Sequence, residues 1–132
     1  MRTLSICLGL SLAVAGAAGP VSAQDRMASF SPEFRACEAA DPSMVALSHC
    51  LGDELDRQRI RLRAALREEG LYPGSDEPAD LAKSQRQWET LIEEDCQLEY
   101  DLGGNAAPMR QTSCLAALTI QRIEYLSWRG NW

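Results

Sequence analysis

The sequence predicts an all-α fold: a small antiparallel three-helix bundle with an N-terminal segment stapled onto it by a disulfide. Three observations carry this expectation. Apolar residues recur every three, four or seven positions over three long segments, the period of a helix face and not the alternation of a strand. Two breaker clusters separate those segments, GLYPGSDEPAD over 70–80 and GGN over 103–105. Cysteines stand in or next to those segments at Cys37, Cys50, Cys96 and Cys114.

The 132 residues are long enough for one domain. Residues 1–23 read as a secretory signal. Arg2 gives a positive start, Leu4 to Ala18 is an uncharged apolar run, Gly19-Pro20 breaks it, and Val21-Ser22-Ala23 has the small-x-small form of a cleavage site. The run is shorter than the roughly 20 residues that cross a membrane, so no membrane span is expected after cleavage. Gln24 is then the mature start; 24–36 is a poorly ordered lead, and 24–41, with Pro32 and Pro42, reads as irregular or as a short helix. The first long helix is expected from Asp41 as cap, through Met44, Leu47, Leu51, Leu55, Leu62 and Leu66, to a stop at Gly70. Arg57, Arg59, Arg61 and Arg63 decorate its remaining surface. The second helix runs from about Asp80 to Leu102 and carries an apolar stripe of Leu81, Trp88, Leu91, Ile92 and Leu98. Gly103 and Gly104 supply the left-handed backbone that ends it. The third helix starts near Pro108 and ends near Ser127, closing a helical domain over 37–127. Residues 128–132 form a frayed tail.

Of the five cysteines Cys7 lies in the signal, and the four left after cleavage, an even count in a small exported chain, read as two disulfides. No two of these thiols have the short spacing of a zinc site, and His49 is the sole histidine. With no C-x-x-C-H either, no metal and no cofactor is expected. Four cysteines allow three pairings. In a hairpin about GGN, Cys96 and Cys114 stand at nearly equal distance from the turn, within the reach of a disulfide. That leaves Cys37 for Cys50.

Arg2 is the one charged residue in the signal, so the formal charge of −6 becomes −7 in the mature chain. Such a balance disfavours nucleic acid and anionic membranes and favours a basic protein partner. Catalysis lacks its usual parts: there is no G-x-S-x-G elbow and no glycine-rich phosphate loop, and Glu93 and Glu94 point to different helix faces. The chain reads as a non-enzyme with no catalytic residues.

CLAALTIQRIEYL, residues 114–126, places Arg122 within a greasy stripe. On a helical wheel Cys114, Leu115, Leu118, Thr119, Ile123, Tyr125 and Leu126 share its arc, with Ser113, Gln121 and Glu124 opposite. A guanidinium there must be paired, stacked or snorkelling. Pinning Cys96 to Cys114 brings Arg122 level with Trp88 for a cation–π contact. Asp56, Asp95 and Glu99 are its candidate carboxylate partners. On this reading Arg122 is architectural.

Trp88, Cys96 eight residues on, Gly103-Gly104, and then Cys114-x4-Thr119-x2-Arg122-x3-Leu126 resemble the lysozyme-inhibitor LprI-like family. Cys37, Met44, Cys50 and Leu55-Asp56 match its first half more loosely. Members often have arginine-aspartate where Ile92-Glu93 stand, and leucine-asparagine with a following tyrosine where Leu55-Asp56 and Arg59 stand. The resemblance covers residues 37–126. It implies a helical, disulfide-bonded, periplasmic or secreted protein without catalytic activity and, for some members, inhibition of lysozyme.

Two functions are therefore in view. The first is inhibition of a basic lysozyme-type muramidase, with partner contacts from the loop residues Tyr72, Asp76 and Glu77 and the acidic run Glu93, Glu94 and Asp95. The target's own catalytic carboxylates would repel these acids, which puts contact at the rim of its cleft. The alternative is a structural or assembly protein of the envelope without lysozyme affinity, docking a partner through Trp128 and Trp132.

Overall fold

The structure, a computed structural model, describes residues 27–130. The expected signal at 1–23 and Trp132 lie outside them. The described residues form four helices: α1 (Pro32–Ala40), α2 (Met44–Glu68), α3 (Ala79–Asp101) and α4 (Ala107–Arg129). The expected three-helix bundle is thus corrected to four. The added helix, α1, is nucleated by local chemistry. Ser31 Oγ accepts from the Phe34 amide at 3.1 Å, and Pro32 fills the first turn, where its missing N–H costs nothing. Phe34 buries against α2, edge-on to Phe30 with centroids 4.9 Å apart.

The start of α2 also differs from expectation. Ser43 caps it, accepting from the Ala46 amide at 3.2 Å, while Asp41 accepts from the Ser43 amide at 2.9 Å and shapes the turn before it. Its end is a Schellman motif. Leu71 N–H donates to Leu66 O, Gly70 N–H donates to Arg67 O, and Gly70 adopts φ 83°. Leu71 then packs in the cluster that holds Leu66. α3 ends the same way in kind, with Gly103 at φ 72° and Gly104 at 79°. α4 continues past Ser127 to Arg129, with Trp128 tilted against Tyr125.

α4 is the hub. It packs against α2 on one side and α3 on the other, and α1 rests on α2. α3 runs antiparallel to α4. α2 runs parallel to α4, since Leu51 and Leu55 meet Ala116, Ala117 and Ile120 while Leu62 and Leu66 meet Ile123 and Leu126. Being covered twice, α4 buries more than one arc. Ser113, expected on its outer side, is 9% exposed, and Tyr125, expected inside, is 46% exposed. α3 touches only α4 along most of its length and buries a narrow seam: Leu81, Ala82, Gln85 and Cys96, with Trp88 and Ile92 half-buried. Leu91 and Leu98, read as members of the apolar stripe, are exposed.

Candidate functional site

Two disulfides fix the scaffold, Cys37–Cys50 and Cys96–Cys114, with Cα separations of 5.8 and 5.6 Å. The second clasps α3 to α4 and sets the register that brings Arg122 to α3. Arg122 is 8% exposed, with its Cζ 5.7 Å from the Trp88 ring and 5.2 Å from that of Tyr125. Its Nε donates to Gln85 Oε1 at 3.0 Å and its Nη2 to Ser84 Oγ at 3.2 Å. Gln85 Nε2 donates onward to Glu89 Oε1 at 3.0 Å. The carboxylate partners expected from sequence are therefore corrected. Asp56 faces solvent beside Arg59, Asp95 is exposed, and Glu99 lies against Arg110. Two neutral groups and two ring faces replace an ion pair. Burial, the largest influence, lowers the guanidinium's pKa, with Tyr125 and Glu89 opposing, and the group stays charged at neutral pH. The Thr119 hydroxyl donates to Leu115 O within α4 at 2.7 Å.

A second polar knot was not legible in the residue spacing alone. Glu54 is 0% exposed yet accepts from Ser31 N–H at 2.9 Å, Ser31 O–H, Gln58 Nε2 at 2.7 Å and Arg57 Nε at 3.1 Å. Gln58 Oε1 in turn accepts from Arg61 Nη1 at 2.9 Å. Burial pushes the Glu54 carboxyl up, but the donations from Ser31, Gln58 and Arg57 outweigh it and hold the pKa below 4.5. The knot ties the 29–34 segment to α2. On a wheel Gln58 falls within the arc from Leu47 to Leu66 and Glu54 about 20° beyond its edge, a signal too weak to show that Glu54 is buried.

The loop residues Tyr72, Asp76 and Glu77 are exposed at one end of the bundle. Ser75 braces that loop, its Oγ donating to Gly70 O at 2.8 Å. Glu93, Glu94 and Asp95 are exposed on α3, about 20 Å further along its axis at 1.5 Å per residue. The two candidate contact sets are not brought together. At the end opposite the loop lies a cleft of about 350 Å³ between α2 and α4, lined by Met27, Met44, Leu47, Leu51 and Met109, with Glu99 and Arg110 at its polar edge. Met44 and Leu47 belong to the apolar stripe read from the sequence of α2. Arg110 also donates to Gly103 O at 2.7 Å and to Glu99 O at 3.2 Å from Nη2, capping the carbonyl end of α3.

Among the described residues no helix is long and apolar enough to cross a membrane, and no group of three or more potential metal ligands occurs. No curated protein and no solved structure matches the chain. A family model described as lysozyme inhibitor LprI matches residues 36–126, a span that begins in α1, ends in α4 and holds both disulfides and the Trp88–Arg122 pair. The chain belongs to the LprI lysozyme-inhibitor family.

Proposed function

We propose that this protein is exported, to the periplasm or beyond the cell, and there binds and inhibits a lysozyme-type muramidase without catalysing a reaction. The family match over residues 36–126 carries this reading. Two disulfides suit an oxidising compartment, and the leader-like segment at 1–23 suits export. Inhibition of this kind is occlusion: a rigid surface covers the enzyme's groove and excludes substrate. Rigidity then matters more than any single reactive group, since a surface ordered before binding loses less entropy on docking. The Arg122 and Glu54 knots serve that rigidity.

The test is direct. The purified mature protein is titrated against a basic lysozyme at physiological salt, with cell-wall lysis and binding calorimetry read in parallel. Saturable binding with loss of lysis supports the proposal. Absence of binding at micromolar concentrations refutes it and leaves the envelope-assembly alternative.

A further inference from the structure

The net negative charge is not spread over the bundle. Residues 35–53 and 93–117, which form most of the half containing the Met-lined cleft, hold eight carboxylates and two arginines, a balance of −6. The remaining described residues, 27–34 and the half that ends in the 70–78 loop, hold ten carboxylates, the buried and Arg57-paired Glu54 among them, and nine cations, a balance of −1. Five of those cations are the arginines of α2 between Arg57 and Arg67. A basic protein approaching from solution is drawn to the cleft half and gains nothing at the loop half beyond local attraction to Asp76 and Glu77.

Exposed apolar side chains gather at the same end. Met44 is 53% exposed, Val45 71%, Leu98 65% and Leu102 74%. Of these Met44 lines the apolar cleft, whose volume, about 350 Å³, falls in the range that seats a ligand or anchoring side chains, and the other three stand at the same end of the bundle. Methionines line it on two helices and on the segment before α1, and their unbranched side chains adapt to an incoming shape. An apolar anchor site inside a charged rim is the anatomy of a protein interface.

We infer that the cleft end of the bundle is the docking surface for the basic muramidase, with an apolar side chain of the enzyme seated between Met44 and Met109 and its cations on the α3 acids. This rests on the inhibitor reading above and moves the contact away from Tyr72, Asp76 and Glu77.

The closing experiment compares four proteins by calorimetry against a basic lysozyme: wild type, Met44→Lys, Asp95→Lys/Asp101→Lys, and the charge-matched control Asp76→Lys/Glu77→Lys. All substituted positions are exposed, and circular dichroism checks the fold of each. The two cleft-end variants should bind about tenfold more weakly or worse, and the loop control within about threefold of wild type. Loss confined to the loop control overturns the surface and leaves the inhibitor reading standing. Absence of binding by wild type overturns both. A concentration-dependent dimer that Met44→Lys dissolves, at unchanged lysozyme affinity, assigns the cleft to a second copy and also overturns the inference.

Discussion

Glu54→Gln keeps the side chain's shape and removes its charge. In the native protein every neighbour aims a donor at Glu54: the Ser31 amide and hydroxyl, Gln58 Nε2, and Arg57 Nε and Nη2, the last at 3.0 Å. A carboxamide accepts at one atom only, so its NH2 would meet donors. Gln58 cannot turn over to help, because its own oxygen is held by Arg61. One charge-assisted bond is lost, about 1.5–3 kcal/mol, and one buried donor goes unsatisfied, about 1–3 kcal/mol. The Arg57 pair adds little, since a half-exposed guanidinium is screened. A loss of about 3 kcal/mol is expected, which lowers Tm by about 12–24 °C in a domain of this size. The sign with pH follows from the depressed carboxyl. Its contribution is complete above the unfolded value near 4.5 and is lost as pH falls through the lower folded value. Urea titrations of both proteins between pH 7 and pH 3, with disulfides intact, should show a difference that shrinks as acid is added. A difference under about 1 kcal/mol at pH 7, or one that does not change with pH, refutes the account of the knot.

Further outcomes are expected elsewhere. Replacing Cys96 and Cys114 by serine frees an 18-residue separation and should cost about 3 kcal/mol in denaturant, while peptide mapping of the unreduced wild type recovers the 96–114 and 37–50 pairs. Arg122→Lys should lose about 1–2 kcal/mol, because a lysine cannot hold Gln85 and Ser84 while stacking on Trp88, and lysozyme affinity of the folded fraction should stay unchanged. Gly70→Ala should destabilise by about 1 kcal/mol because Gly70 sits at φ 83°; Gly52→Ala, inside α2 with nothing within 4 Å of its added carbon, should stabilise by about 0.5–1 kcal/mol. Thermal melts of the pair check the contrast.

The helices and their joints were legible because they are written locally: Gly70, the Gly103-Gly104 pair and Pro108 each act on their own turn. So was the 96–114 bridge, which follows from symmetry about a short turn. α1 was harder, because Pro32 looks like a breaker until Ser31 is seen to cap the helix that Pro32 begins. The burial pattern of α3 and α4 failed for a non-local reason. A wheel assumes one buried face, and α4 has two while α3 has less than one. That is why Leu91 and Leu98 stand in water and Ser113 does not. The partner of Arg122 was misjudged because the sequence offers several carboxylates near its level, and only the side-chain geometry selects Gln85 and Ser84. The cleft end was hidden because its charge appears only when distant segments are placed at one height.

The hub position of α4 bears on when the protein folds. α2 and α3 lack close backbone contact with one another, and the helix that joins them is the last one made. α1 can dock on α2 and close the Cys37–Cys50 bridge early, but the Cys96 thiol has no native mate until residue 114 is made, so α2 and α3 are drawn together only once α4 is present. The bundle's long-range order is therefore deferred to its final helix, whichever compartment it folds in.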